Sequence, residues 1–189
     1  VPQGFFYNLG IIVANEVGFI LQRPVRAEFV VIPTTNFIVN ISNALNSGVV
    51  DTVVGVSYLA NRLLTVDFTC WYEGPSPFAV YRDETASLPS GFVLPTTLSG
   101  WNDNRIKVAT LGGSIYENAV NQYLPLAQKV YFPNMNAAYD AVGTSADIVF
   151  SIIGETTGYI QTHNNRLREQ QGTRTVYGGG NAFATRRNA

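Results

Sequence analysis

Apolar residues recur at spacings that predict helices and strands in alternation along the first third of the chain. Over Leu9–Leu21 they recur every three or four positions, which predicts a helix, and Pro24 follows its end. The β-branched segment Ala27–Ile32 predicts a short strand. A second amphipathic helix is predicted over Phe37–Leu45, followed by a buried strand over Val49–Val56.

The second half of the chain repeats this order of elements. Strands are predicted at Ile106–Leu111, Lys129–Phe132 and Asp147–Ile153, and helices at Ile115–Tyr123 and Asn136–Val142. Alternation of this kind predicts an α/β architecture with mainly parallel strand pairing. Two similar helix–strand units also favour two lobes of related construction over one continuous sheet.

Two segments are candidates for connections between such lobes. A strand predicted at Phe78–Arg82 runs into residues 83–95, which are rich in Ser, Pro and Gly and form the best linker candidate in the chain. Near the end, Gly178–Gly180 precede a short predicted strand, Ala182–Thr185. Consecutive glycines permit backbone angles that other residues avoid, so we expect a hinge or a strand entry there.

Composition excludes several classes of function. Every apolar run is far shorter than the roughly 20 residues of a membrane-spanning helix, and no charged, hydrophobic targeting stretch opens the chain. The net charge is −1, and the basic residues near the end are not interleaved with aromatics, so we expect no nucleic-acid partner. With Cys70 and His163 the only residues of their types, we expect neither a metal site nor a His-dependent nucleophile, and no cofactor.

The most informative stretch is DTVVGVSYLANRLLTVDFTCWYEGPSPFAVYR, Asp51–Arg82. Arg62 lies beyond the carboxyl end of a predicted strand, where α/β sheets bind ligands, and its planar fork of donors matches a carboxylate. Gly55 allows a ligand to approach the backbone, and Ser57 adds a donor. Ser114 lies before a predicted helix, whose N-terminus favours an anion.

This stretch resembles the type II periplasmic solute-binding proteins of the polar amino-acid family. The matching positions are Asp51, Gly55, Ser57, Arg62, Val66 to Thr69, and Trp71–Tyr72. The segment RIKVATLGGSIYENAV is similar to the family's second-lobe strand, turn and helix, and YGGGNAFATRRN to its return strand. Ligand-binding cores of ionotropic glutamate receptors share this fold.

The resemblance implies an α/β, two-lobed periplasmic-binding-protein-like type II fold, in which the first strand and the C-terminal helices are missing. Lobe 1 is then expected over residues 1–81 plus 182–189, and lobe 2 over residues 82–181. The chain would cross between the lobes near 80–84 and near 178–183.

The function implied is that of an extracytoplasmic receptor, periplasmic or extracellular, which delivers an amino acid or similar small carboxylate to the membrane permease of an ABC importer. Arg62 is the expected carboxylate anchor, with contacts from Gly55, Ser57 and Ser114. Aromatic walls are expected from the residues near these family positions, Tyr7 and Trp71 above all, with Phe5, Phe6 and Tyr72 as further candidates.

Each of these residues also has a structural interpretation. Arg62 could pair with Asp67 or Glu73 at the surface, and Ser57 and Ser114 could be turn or N-cap residues. Any one of the aromatic residues could simply pack in the core.

The sequence departs from the family pattern at two ligand-contacting positions. Leu59 stands where the family usually has a Thr. The family's acidic residue that receives the ligand's amino group would fall near Ile152, which is apolar and cannot take that role. Glu155 takes that role if the loop is a few residues longer; otherwise the ligand is a simple carboxylate. Two other functions stay open: the ligand-sensing domain of a receptor, and a cyclohexadienyl dehydratase-like enzyme with Glu155 or Glu117 as general acid. We expect a binding protein rather than an enzyme.

Overall fold

The computed structural model describes residues 4–33, 36–163 and 166–187. The helices are α1 (Phe5–Ile20), α2 (Phe37–Asn46), α3 (Ile115–Tyr123), α4 (Met135–Asp140) and α5 (Ile153–Thr162). The strands are β1 (Thr52–Ser57), β2 (Asp67–Phe68), β3 (Ser76–Asp83), β4 (Lys107–Thr110), β5 (Gln128–Tyr131), β6 (Ile148–Ile152), β7 (Leu167–Glu169), β8 (Thr175–Tyr177) and β9 (Asn181–Thr185). Short 3-10 helices span Ala60–Leu64 and Leu98–Trp101.

These strands form two separate sheets. The small sheet has three strands in the order β1-β9-β2, all antiparallel. The large sheet has the order β5-β4-β6-β3-β7, with β8 also pairing with β3. Only the β4–β5 and β4–β6 pairs are parallel. The prediction of mainly parallel pairing was therefore wrong, because β3 and β9 return through each sheet against the direction of their neighbours.

Helices cover both faces of the large sheet. Along β3, Phe78 and Val80 pack with α3, whereas Ala79 and Tyr81 pack with α4 and α5. This alternation is the two-residue period of a strand buried on both faces. The small sheet packs on α2 around Ile41, Leu45, Val56, Val66 and Ala184.

The chain passes between the sheets twice, at residues 69–75 and 178–180. The two passages lie side by side, since the Asn181 N–H donates to the Glu73 carbonyl at 3.0 Å. Residues 80–83, where a crossing was predicted, lie inside β3 and pair with β6 and β7. We therefore propose that lobe 1 carries the small sheet, that lobe 2 begins with β3 at Ser76, and that the first crossing is at residues 69–75. Residues 1–3, 34–35 and 188–189 of the predicted lobe 1, and residues 164–165 of the predicted lobe 2, lie outside the described residues.

One predicted strand does not form. Residues 24–33, which include Ala27–Ile32, contain neither helix nor strand. A β-branched composition favours a strand only where another strand pairs with it, and no strand among the described residues pairs with this segment. The helix predicted from Leu9 begins earlier, at Phe5. As expected from the resemblance, no strand precedes α1 and no helix follows β9 among the described residues.

The helices of the described part of the chain span from 6 residues in α4 to 16 residues in α1. None of them combines the length and the apolar character needed to cross a bilayer.

Candidate ligand-binding site

A cavity of about 330 Å³ lies between the two sheets. This volume is at the lower end of the range for small-molecule sites. On the side of the small sheet its walls are Phe6, Phe37, Gly55, Ser57, Arg62 and Asn181, and on the side of the large sheet they are Leu111, Ser114, Ile115, Tyr116, Asn134, Met135, Ile152 and Glu155. Five of the seven residues predicted for the site therefore line one cavity: Gly55, Ser57, Arg62, Ser114 and Glu155.

Arg62 is held by the 3-10 helix that follows β1, and its side chain enters the cavity from lobe 1. It is 4% exposed, and its Nη1 donates to the Ser57 carbonyl at 3.0 Å. None of the ion pairs of the described residues involves Arg62, so the predicted surface pair with Asp67 or Glu73 does not form there. Burial lowers the pKa of Arg62 from 12.5 to about 10. The guanidinium is thus charged at neutral pH, buried, and forms no ion pair with any of the described residues.

Gly55 and Ser57 lie on the strand before Arg62. Gly55 has φ +78°, and a Cβ there would lie 3.1 Å from the Phe6 ring, so glycine lets that ring pack against β1. The register of β1 with β9 shifts at this point. The Ser57 hydroxyl donates to Asn181 Oδ1 at 3.1 Å, and Asn181 Nδ2 donates to the Glu73 carboxylate at 2.8 Å. Ser57 therefore lines the cavity and also links β1 to the start of β9.

Ser114 is the N-cap of α3. Its hydroxyl oxygen accepts from the Tyr116 N–H at 3.1 Å and from the Glu117 N–H at 3.3 Å. The Glu117 carboxylate accepts from the Gly113 N–H at 2.7 Å, one residue before the N-cap, so both side chains bind backbone donors at the start of α3. Three backbone donors expected to serve a ligand are thus already engaged within the chain. Ser114 therefore forms part of the cavity wall but leaves few free hydrogen-bond donors for a ligand at the start of α3.

Glu155 lies in the first turn of α5, directly after β6. The sequence placed it in a loop; the helix that begins at Ile153 was not predicted. Its carboxylate accepts a hydrogen bond from the Tyr116 hydroxyl and lines the cavity. Burial raises the pKa of Glu155 above 4.5, an effect that the Tyr116 hydrogen bond opposes and that the charge of Glu73 reinforces. Burial also raises the pKa of Tyr116 well above 10, which keeps its hydroxyl proton available as a donor.

The predicted aromatic walls Tyr7 and Trp71 do not line this cavity. The Tyr7 ring packs on Phe29 with centroids 4.5 Å apart, and Trp71 is 52% exposed beside Tyr58. Phe6 provides the wall on α1 in place of Tyr7, since residues adjacent on a helix face different directions.

Several lining residues had not been singled out from the sequence: Phe37, Leu111, Ile115, Tyr116, Asn134, Met135, Ile152 as a wall, and Asn181. Asn134 and Met135 start α4, just beyond the carboxyl end of the parallel strand β5. The rule that α/β sheets bind ligands at such strand ends had pointed to Arg62 and would have identified these two residues as well.

No family model and no curated protein sequence matches the chain. Solved structures, in contrast, match nearly all of it. An ancestral arginine-binding protein bound to arginine has a TM-score of 0.77 at 21% identity, covering 98% of this chain and 75% of that one. An ancestral amino acid-binding protein, a precursor of cyclohexadienyl dehydratase, has a TM-score of 0.74 at 23% identity, with 98% and 73% covered.

A third similar structure is an amino acid ABC transporter substrate-binding protein from Streptococcus pneumoniae bound to L-arginine. Its TM-score is 0.73 at 21% identity, with 96% of this chain and 69% of that one covered. Similarity at this level of identity shows a common fold rather than a common ligand. The chain has the two-lobed α/β fold of periplasmic amino-acid-binding proteins.

Proposed function

We propose that this protein binds a small carboxylate-bearing solute, an amino acid, in the cavity between its lobes, with Arg62 as the carboxylate anchor. The observation that carries the proposal is a buried guanidinium, at the wall of a cavity, with no acidic partner among the described residues. Burying a charge without a partner is costly, and a carboxylate that accepts two parallel N–H bonds offsets that cost.

The position of Glu155 is the reason for proposing an amino group at the other end of the ligand. Glu155 lines the same cavity from lobe 2, whereas Arg62 lines it from lobe 1. An ammonium group would favour the ionised form of a carboxyl whose pKa is raised by burial in the free protein. A ligand that bridges these two residues joins the lobes, so that binding and closure of the cleft become one event.

The role that fits these properties is that of a receptor for an ABC importer, acting in the periplasm or outside the cell together with a membrane permease. Such a receptor needs no chemical step, only a higher affinity of the closed form for its solute. The resemblance in sequence and the transporter-associated protein among the similar structures support this role.

A thermal-shift screen of the twenty amino acids and common organic acids tests the proposal. A ligand that binds only the folded state stabilises it by about 2.7 kcal/mol at a concentration of 100 times its Kd, which raises the Tm measurably. We expect at least one amino acid to do so. If no carboxylate shifts the Tm of the folded protein, the proposed function is wrong.

An enzymatic alternative rests on one specific observation. Glu155 is a carboxyl with a raised pKa that lines the cavity beside a tyrosine hydroxyl, which are properties of a general acid. One similar structure is a precursor of cyclohexadienyl dehydratase, although it is itself described as an amino acid-binding protein. Incubation with prephenate or arogenate separates the two functions: release of a ring product favours the enzyme, and saturable binding without product favours the receptor.

A further inference from the structure

We infer that the ligand has an uncharged, apolar side chain, such as that of leucine, isoleucine or methionine, rather than a cationic one. This inference rests on the proposed function and concerns the part of the cavity that neither Arg62 nor Glu155 serves. That part is lined by side chains that share an apolar surface: Phe6, Phe37, Leu111, Ile115, Met135 and Ile152.

The charges of the cavity are fully used by the two ends of an amino acid. Among the fourteen lining residues, Arg62 has the only basic side chain and Glu155 the only carboxylic acid. Arg62 faces the ligand carboxylate and Glu155 faces the ammonium group. Within the part of the chain that the structure describes, no third charged side chain lines the cavity to receive a guanidinium or ammonium on the ligand's side chain.

The polar lining groups are largely engaged with each other. The Ser57 hydroxyl donates to Asn181, whose amide donates in turn to Glu73. The Ser114 hydroxyl caps α3, and Asn134 Oδ1 accepts from the Ala137 N–H at 2.9 Å as the cap of α4. A polar ligand side chain would have to compete with these bonds, whereas an apolar one leaves them intact and removes apolar wall from water.

Size and position agree with this assignment. The cavity of about 330 Å³ has room for a complete amino acid, so the chemistry of its lining, rather than its size, selects the ligand side chain. Met135, at the start of α4, and Ile152, at the end of β6, are both half-buried. The flexible thioether side chain of Met135 can adapt to the shape of an apolar ligand side chain. The ligand preference should therefore differ from that of the similar structures that hold arginine.

Isothermal titration calorimetry with leucine, isoleucine, methionine, arginine, lysine and glutamine tests the inference on the unmodified protein. An unpaired buried charge typically costs 2–5 kcal/mol, so we expect the tightest apolar amino acid to bind at least roughly 30-fold more tightly than arginine or lysine. Binding of arginine, lysine or glutamine with equal or higher affinity overturns the inference and leaves the proposed function standing. Binding of none of the six overturns the inference, and the wider thermal-shift screen then decides the proposed function.

A charge placed in the apolar wall provides the second arm. Met135→Glu puts a carboxylate at the first residue of α4, where an acidic side chain is compatible with the helix N-terminus. We expect it to weaken leucine or methionine binding at least about tenfold and to improve lysine or arginine binding. Leu126→Glu, on a residue that is 62% exposed and outside the cavity, is the matched control and should change neither. An unchanged order of affinities in folded Met135→Glu contradicts the inference.

Discussion

Replacing Arg62 by methionine should remove binding while leaving the ligand-free protein at least as stable as before. Methionine keeps an unbranched apolar stem of similar length but has neither the charge nor the donors of the guanidinium. The substitution therefore separates two roles for a buried arginine. A structural arginine stabilises the free protein, whereas a ligand anchor stabilises mainly the complex.

The magnitude follows from two opposing terms. Burial lowers the pKa of Arg62 from 12.5 to about 10, and at about 1.4 kcal/mol per pKa unit the charged form is disfavoured in the folded state by about 3 kcal/mol. This cost is present at neutral pH and fades only as the pH rises through the folded-state pKa. Against it stands the bond from Nη1 to the Ser57 carbonyl, a charged hydrogen bond of about 1.5–3 kcal/mol. We expect a result between no change and a gain of about 1.5 kcal/mol in the free energy of unfolding.

Urea denaturation followed by tryptophan fluorescence measures this change, since Trp101 is fully buried and reports on unfolding. The control is Leu45→Ala in the lobe 1 core, where the residue is 0% exposed and truncation should cost about 2–5 kcal/mol. In calorimetry, loss of two charged hydrogen bonds should weaken amino acid binding roughly 100-fold or more. A destabilisation by Arg62→Met as large as that of Leu45→Ala would mean that Arg62 is structural, and unchanged affinity would mean that the anchor is another residue.

Three further predictions concern Glu155 and the crossings between the lobes. Glu155→Gln should weaken binding of the preferred amino acid at least about tenfold in calorimetry. The affinity for its 2-oxo acid analogue, which has no ammonium group, should change little. Equal losses of affinity for both ligands would contradict the assignment. Because the pKa of Glu155 is raised above 4.5, the folded ligand-free protein binds a proton at higher pH than the unfolded chain. Its free energy of unfolding should therefore fall as the pH rises between 4.5 and the raised value, and urea titrations of Glu155→Gln should lack that part of the slope. Gly180→Ala should lower the Tm strongly, since its Cβ would lie 1.8 Å from the Glu73 carbonyl oxygen, whereas Gly74→Ala, with nothing within 4 Å, should not; similar Tm values would show that the two passages are not held together as described.

Local signals were sufficient for several elements. The helix predicted over Ile115–Tyr123 has these bounds in the structure, because its start is specified by Ser114 and Glu117 within four residues. The helix predicted over Phe37–Leu45 differs from α2 by one residue at its end. Hydrogen bonds and side-chain contacts of this kind join neighbours in sequence, so their pattern can be recognised without the fold.

Elements that depend on a distant partner were predicted less well. Ala27–Ile32 has the composition of a strand but pairs with no strand among the described residues, and composition alone does not supply such a partner. The helix α5 was missed because its apolar residues continue directly from β6, and an uninterrupted apolar run does not reveal where a strand ends and a helix begins. The position of Glu155 at the cavity, which had depended on the length of a supposed loop, follows instead from this helix.

For the site, the sequence determined which chemical groups are available, and the tertiary structure decided which of them meet. The residue types, together with the resemblance to the solute-binding proteins, pointed to Arg62, Gly55, Ser57, Ser114 and Glu155, all of which line one cavity. Only the fold decided that Phe6 rather than Tyr7 faces that cavity and that Trp71 does not. It also decided that Arg62 is buried without an acidic partner among the described residues. The physical reason is that pairing and burial depend on contacts such as that of Ser57 with Asn181, between residues far apart in the chain, which local patterns do not encode.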